Sequence, residues 1–281
     1  MKSVISIGNQ DFISIRKNNC FYIDKTDFIR EWWENQDSVT LITRPRRFGK
    51  TLNMSMTEYF FSVNYSDMGQ YFKELSIWKE ERFREIQGTY PVISLSFADI
   101  KATTYESARM SIIRKLVRLY SAFDFIRSSE ALNEKDRTYF DSVGEDMSDD
   151  AAAVGINYMS DYLSRYYGKK VIILLDEYDT PLQEAYVHGY WEELTAFIRS
   201  LFNSTFKTNP YMERGLLTGI TRVSKESIFS DLNNLEVVTT TSEKYSTSFG
   251  FTEEEVFTVL ENAGIPEEKE HVRYWYDGFS F

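Results

Sequence analysis

The stretch VTLITRPRRFGKT, residues 39–51, decides the fold of this chain. A β-branched run leads into a turn and then into a helical pattern, the order of a phosphate-binding strand, loop and helix. In such a loop the helix N-terminus holds a phosphate group, a lysine reaches the outer phosphates and a Ser or Thr hydroxyl ligates Mg²⁺. Gly49, Lys50 and Thr51 occupy the last three positions of this motif. Arg44 replaces its first glycine, so the segment alone is equally compatible with an ordinary helix start.

A second motif lies further along the chain. KKVIILLDEYD, residues 169–179, is a lysine-flanked hydrophobic strand that ends in Asp176 and Glu177, the form of a Walker B motif. The first carboxylate of such a pair supports the Mg²⁺ shell, and the second orients and deprotonates water. A buried strand that ends in two solvated acids is the alternative. The two motifs in this order favour nucleotide binding.

A third segment, LLTGITR, covers residues 216–222. A strand whose end presents Thr218, Thr221 and Arg222 is typical of the sensor strand of P-loop ATPases, where a polar side chain and an arginine meet the γ-phosphate. Alone, the segment is better explained as a strand exit with a surface arginine. As the third motif in the expected order, it favours a sensor.

Strands and helices alternate along the chain, which predicts an α/β fold with a mostly parallel sheet. The predicted strands are residues 39–43, 92–97, 171–176, 215–221 and 235–240. The predicted helices include residues 50–61, 105–125, 151–167 and 191–206, with an acidic, mobile segment at 141–150. Thr180 is expected to cap a helix with Pro181 in its first turn, and another helix begins at Thr252 and stops at Gly264.

The strand at 92–97 lies between the two phosphate-site motifs, which indicates the additional-strand type of sheet found in AAA+ and STAND proteins. We therefore expect a P-loop NTPase with three α/β/α layers and a five-stranded sheet; nucleotide kinases are the alternative within this fold. Residues 1–250 are expected to form the ATPase domain, with 1–38 as an N-terminal linker and first helix. Residues 251–281 are expected to form a small helical lid or the start of a C-terminal domain.

Composition limits the classes of function. The 281 residues are 42% hydrophobic, but the longest aliphatic run is residues 171–175, far shorter than the ~20 residues of a membrane span. With no signal-peptide pattern at the N-terminus, we expect a cytoplasmic protein without membrane contact. Cys20 is the only cysteine, and His188 and His271 are the only histidines. We therefore do not expect a zinc enzyme or a Ser-His-Asp hydrolase. The net charge of −11 argues against direct nucleic-acid binding.

The chain resembles the bacterial AAA-ATPase-like family in FYIDKT (21–26), RPRRFGKT (44–51), PVISLSF (91–97), DEYDTPL (176–182), the segment 216–235 and the closing YWYDGFSF. The resemblance implies that Thr51 and Asp176 support Mg²⁺ and that Glu177 is the catalytic base, with Arg222 and Thr221 at the γ-phosphate. FYIDKT is expected near the adenine. The resemblance also implies an ATP-binding loop formed by Arg46, Arg47, Phe48, Gly49, Lys50, Thr51 and Leu52.

Members of this family are often fused to a PD-(D/E)XK nuclease-like C-terminal domain. Residues 1–281 contain no strand-borne nuclease motif, so we expect that domain to be absent from this chain and no nuclease activity from it. The leading hypothesis is an Mg²⁺-dependent ATPase that couples nucleotide state to a partner or downstream domain. A non-hydrolysing nucleotide switch and an accessory module of a nuclease system are the alternatives, and an oligomer is compatible with each.

Overall fold

A computed structural model describes residues 4–221, 228–229 and 232–276 of the chain. Five parallel strands form one sheet in the order β2-β3-β4-β1-β5. The strands are β1 (Val39–Thr43), β2 (Val92–Ser96), β3 (Val171–Asp176), β4 (Met212–Gly219) and β5 (Leu235–Val238). The strand before the 44–51 motif, β1, is separated by β4 from β3, the strand that ends in Asp176. This order confirms the additional-strand sheet that the sequence predicts.

Helices connect the strands and cover both faces of the sheet. On the N-terminal side they are α1 (Phe12–Lys17), α2 (Asp27–Asn35), α3 (Lys50–Phe61) and α4 (Glu81–Ile86). The central helices are α5 (Tyr105–Ala122), α6 (Glu134–Ser142), α7 (Asp149–Tyr167), α8 (Thr180–His188) and α9 (Trp191–Phe202). Two helices follow β5: α10 (Glu253–Ala263) and α11 (Lys269–Tyr276). In the described ranges, no helix combines the length and the apolar character that crossing a bilayer requires.

Alternation along β3 divides the core into two clusters, one on each face of the sheet. Ile173 and Leu175 point into a cluster that contains the buried faces of α5, α7, α8 and α9. Ile172 and Leu174 point into the other cluster, which contains α1, α2, α3 and their aromatic side chains. Because every residue of β3 is buried, the strand lies at the centre of three layers. The predicted α/β/α architecture is confirmed.

Several predicted boundaries differ from the structure. The helix expected at 105–125 ends at Ala122, because the chain tightens into a 3-10 turn that buries Phe123 and Ile126. The helix expected at 191–206 changes at 203 into a π-helical turn. The strand expected at 215–221 runs instead over Met212–Gly219. Thr180 is the first helical residue of α8, with Asp179 at the cap position.

Helices α1 and α6 are among those that the sequence did not predict. Helix α6 begins at a capping box formed by Asn133 and Asp136, a polar signal hidden within a charged stretch. The acidic segment that follows it is held by ion pairs rather than left unattached: Asp141 with Arg127, Glu145 with Arg114 and Asp149 with Arg109.

The close approach of β4 to the turn after β3 generates the first prediction. A Cβ on Gly219 would lie 2.6 Å from Cε1 of Tyr178 and 2.7 Å from Oδ1 of Asp179, both inflexible buried neighbours. We expect Gly219→Ala to lower the free energy of unfolding by about 1–3 kcal/mol, the usual cost of overpacking. Chemical denaturation followed by circular dichroism measures the change.

The control is Gly155→Ala within α7, where the nearest atom to a new Cβ is 3.4 Å away. Alanine in a helix interior stabilises by up to about 1 kcal/mol relative to glycine. Equal destabilisation by the two variants would contradict the tight packing at Gly219.

Candidate nucleotide site

Parallel strands end at one edge of a sheet, and the predicted site residues that the structure describes lie at that edge. Residues 44–49 leave β1 and lead into α3, whose cap residue Gly49 has a φ of 77°. Glycine adopts this left-handed conformation without strain, so the first amides of α3 can point out of the turn. Arg46, Arg47 and Gly49 are exposed, and Arg47 also has a positive φ, 70°. The exposed N-terminus of a twelve-residue helix is suited to an anion.

Lys50 is the first residue of α3, and its side chain is buried. Its Nζ donates to the carbonyl oxygens of Arg44, at 2.9 Å, and Pro45, at 3.0 Å. Burial lowers the pKa of this ammonium, while the charges of Glu177, Asp176 and Asp179 raise it. The lysine is thus folded back onto its own loop and held there by two weak acceptors. Phosphate oxygens would be stronger acceptors for the same ammonium.

Asp176 ends β3 and accepts hydrogen bonds from two threonines on different elements. Thr51 Oγ1 of α3 donates to Asp176 Oδ2 at 2.7 Å, and Thr218 Oγ1 of β4 donates to Oδ1. Asp176 is only 5% exposed. Hydroxyl and carboxylate oxygens are ligands that Mg²⁺ accepts, usually with waters and substrate phosphates completing its shell. The described residues contain no group of three or more His, Cys, Asp or Glu side chains that could hold a metal ion, so any Mg²⁺ here would need those additional ligands.

Glu177 follows Asp176 with a φ of 50°, an unusual backbone conformation for a residue with a side chain. Its half-buried carboxylate accepts a hydrogen bond from Thr180 Oγ1 at 3.1 Å. The left-handed turn directs the chain from the end of β3 into α8. Strained backbone of this kind is frequent at functional sites.

The remaining predicted residues have these positions. Phe48 and Leu52 are half-buried, and the Phe48 carbonyl accepts from Gly250 N at 3.0 Å. Thr221 is exposed, and its hydroxyl donates to Asp179 Oδ2 at 2.7 Å. Arg222 lies outside the described residues. The structure therefore brings Lys50, Thr51, Asp176 and Glu177 to one edge of the sheet.

Asp179 belongs to this site, and sequence reasoning missed it. The side chain is fully buried, and its Oδ2 accepts from the amides of Ile220 and Thr221, from the Thr221 hydroxyl and from Gln183 Nε2. It thereby joins the turn after β3 to the chain that leaves β4. The only sequence signal was the second aspartate of DEYD, which resembles an ordinary helix cap.

The segment 245–250, which we call the strap, lies against the phosphate-binding loop. Besides the hydrogen bond from Gly250 to Phe48, the Ser248 carbonyl accepts a hydrogen bond from Asn53 Nδ2 at 2.8 Å. The Phe249 ring centre lies 5.7 Å from the Arg44 guanidinium carbon. Lys25 holds the strap from the other side, with Nζ 2.6 Å from the Thr247 carbonyl.

Lys25 also pairs with Glu255, on the first turn of α10, at 2.6 Å. This lysine belongs to the FYIDKT segment expected near the adenine. Its neighbour Asp24 accepts from the amides of Thr26 and Ser76. In the structure FYIDKT thus fastens the N-terminal region to the strap and to α10.

The five-stranded parallel sheet and its strand order define a P-loop NTPase-like fold. The chain belongs to the AAA-ATPase-like family, because the family model described as "Predicted AAA-ATPase" matches residues 6–229. Its members are ATPase-like nucleotide-binding proteins.

One curated relative is the "Uncharacterized protein in vnfD 5'region" of Azotobacter chroococcum mcd 1, 27% identical over 282 residues. The match covers 99% of this chain and 48% of the relative, so the chain spans about half the length of the curated relative it matches. No solved structure matches the chain.

The contacts of Asp179 generate the second prediction. Asp179→Ala removes the carboxylate that accepts from the amides of Ile220 and Thr221, and a hydrogen bond to a charged group contributes about 1.5–3 kcal/mol. We expect a lower free energy of unfolding and faster amide hydrogen exchange at both residues. Exchange measured by mass spectrometry on peptides that span 216–221 checks the result.

The matched control is Asp161→Ala, which removes a surface carboxylate paired with Arg165. Surface pairs contribute about 0–1 kcal/mol, so exchange at 216–221 should not change. Unaltered exchange in Asp179→Ala would mean that the aspartate does not hold this segment.

Proposed function

We propose that this chain binds Mg²⁺·ATP at the carboxyl edge of its sheet and hydrolyses it. The observation that carries the proposal is the direct hydrogen bond between Thr51 and Asp176, beside the buried Lys50. The threonine follows the anion-binding helix start, and the carboxylate ends the Walker B strand. Packing alone does not explain why an ammonium, a hydroxyl and a carboxylate lie together at one exposed helix N-terminus.

The residues would act as follows. Amides at the start of α3 bind the phosphate chain, and Lys50 exchanges the carbonyls of Arg44 and Pro45 for phosphate oxygens. Thr51 and Asp176 would hold the Mg²⁺ shell, and the ion would supply charge neutralisation for the transferred phosphoryl group. Arg46 and Arg47, exposed on the same loop, add positive charge around the triphosphate.

Glu177 is the proposed general base, because its carboxylate adjoins Asp176 and can accept a proton from an attacking water. It has to give up the hydrogen bond from Thr180 or share that oxygen with the water. Thr221 and Arg222 are proposed to sense the γ-phosphate. Asp179 holds the backbone at Thr221, so it would keep the sensor segment in register with Glu177.

The strap supports a route from the nucleotide to a partner or downstream domain. It contacts the loop at Phe48 and α3 at Asn53, and Lys25 links it to α10 through Glu255. We propose that residues 251–281 act as a lid or the beginning of a further domain whose position depends on the loop. A relative about twice as long as this chain is compatible with such a downstream domain.

A non-hydrolysing switch is the second candidate. Two observations favour it: Arg44 replaces the first motif glycine, and the Glu177 carboxylate is already hydrogen bonded to Thr180. Measured phosphate release separates the two candidates.

The third prediction concerns binding. Mg²⁺·ATP should stabilise the wild type by about 2.7 kcal/mol at a hundredfold excess over Kd, and Lys50→Ala should abolish this gain. The measurement is a thermal-denaturation scan with and without Mg²⁺·ATP. Lys169→Ala is the control, because burial also lowers the pKa of Lys169, whose ammonium lies at the opposite edge, 2.8 Å from Thr89 Oγ1. A wild-type melting curve unchanged by millimolar Mg²⁺·ATP would overturn the proposal.

The fourth prediction concerns hydrolysis. Glu177→Gln should leave ATP affinity within a few-fold while reducing turnover by about 10²–10⁴-fold, the range of a general base. Phosphate release and equilibrium ATP binding are measured on the same preparation. Glu184→Gln, on α8, alters a carboxylate that lies 3.5 Å from His188 Nε2 and should keep wild-type turnover. Normal turnover by Glu177→Gln would assign the base elsewhere.

A further inference from the structure

Arg44 is a buried cation without a carboxylate partner among the described residues. Arg44 is only 4% exposed, and it occupies the position where the motif has glycine. NH1 donates to the carbonyl of Thr43, the preceding residue, at 3.2 Å. Its other described contact is the Phe249 ring, 5.7 Å away. One long hydrogen bond and one distant ring are little compensation for a guanidinium with five N–H donors.

Arg214 shows how the same fold satisfies a buried arginine. It is 7% exposed and lies near the amino end of β4, away from the nucleotide edge. NH1 donates to the carbonyls of Trp32, at 2.8 Å, and Trp33, at 2.5 Å, and the guanidinium carbon lies 4.1 Å from the Trp33 ring centre. Arg214 is therefore well compensated by its surroundings, and Arg44 is not.

The charges around Arg44 and Arg214 differ in the same way as their hydrogen bonds. Burial lowers the pKa of both guanidinium groups. Around Arg214 the charges of Glu213 and Asp37 oppose that effect, whereas burial alone acts on Arg44. A buried charge that lacks a counter-ion is strongly unfavourable, so an anion that reaches Arg44 would gain more than one that reaches a satisfied arginine.

The backbone of Arg44 is already part of the nucleotide edge. Its N–H donates to Gly219 O at 3.2 Å, and its carbonyl is one of the two acceptors that hold Lys50. An anion at the start of α3 would draw Lys50 from this carbonyl. The loop would then rearrange at Arg44, whose guanidinium has no carboxylate partner in the described part of the chain.

We infer that the Arg44 guanidinium is a second cation for the phosphate chain of a bound nucleoside di- or triphosphate, held beneath Phe249 until the ligand arrives. This inference rests on the proposed nucleotide binding and adds a binding residue to it. The glycine of the usual motif contributes only backbone. Here the side chain adds charge, so affinity should depend on the number of phosphates more steeply than Lys50 alone provides.

Arg44→Met tests the inference, because methionine retains apolar contact with Phe249 and removes the charge. The nucleotide-free variant should melt at the wild-type temperature or above it. Its affinity for ATP should fall by about 10- to 100-fold, the range of a charged hydrogen bond. The loss should be smaller for ADP and absent for adenosine. Isothermal titration with the three ligands measures it.

Arg214→Met is the matched control: it should lower the melting temperature and leave ATP affinity unchanged. Should Arg44→Met fail to fold, Arg44→Gln carries the same comparison, since it keeps a donor for Thr43 and loses the charge.

Two results for Arg44→Met overturn this inference but not the proposed function. One is an ATP affinity equal to that of the wild type. The other is an equal loss of affinity for ATP and adenosine, which would mean that Arg44 supports the adenosine-binding part of the site. Absence of ATP binding by the wild type would overturn this inference together with the proposed function.

Discussion

The carboxylate of Asp176 lies between two threonine hydroxyls that come from different elements of the fold. Thr51 belongs to the helix after β1, and Thr218 belongs to β4, the strand between β1 and β3. These contacts require β1, β3 and β4 to end at the same level, which a parallel sheet in this order provides. A buried carboxylate satisfied mainly by hydroxyls can exchange them for a cation, because hydroxyl donors rotate easily.

A second carboxylate, that of Asp179, lies three residues after Asp176 and stabilises the backbone nearby. It accepts four hydrogen bonds through one oxygen and ties the turn after β3 to the residues after β4. Gly219 permits this approach because any side chain there would collide with the aspartate and with Tyr178. The carboxyl edge of the sheet is therefore held by short contacts between strands, and the strap connects that edge to α10.

The sequence predicted the parts of the fold that depend on local pattern. The boundaries of β1, α3 and β3 agree with the structure, because continuous apolar burial marks both strands and a glycine marks the start of α3. The early start of β4 was missed because Arg214 looks like a surface residue; its charge is satisfied by carbonyls 181 and 182 residues away.

The candidate site was predictable to a similar extent. Two compact motifs contain Lys50, Thr51, Asp176 and Glu177, so the sequence alone predicts that these residues belong to one site. The ion pair between Lys25 and Glu255 joins residues 230 apart, and no local pattern reveals such a partner. Arg44 was recognised only as a departure from a motif. Its burial involves Phe249 of the strap, about 200 residues along the chain, and no local pattern reveals that it has no carboxylate partner among the residues that the structure describes.

The most direct test of the central claim is a crystal structure with Mg²⁺ and a non-hydrolysable ATP analogue. The account predicts a phosphate chain at the N-terminus of α3, with the Lys50 ammonium moved from the carbonyls of Arg44 and Pro45 to phosphate oxygens. It also predicts a cation beside Thr51 and Asp176. An analogue bound elsewhere at saturating concentration, with Lys50 still on its own loop, would contradict the account.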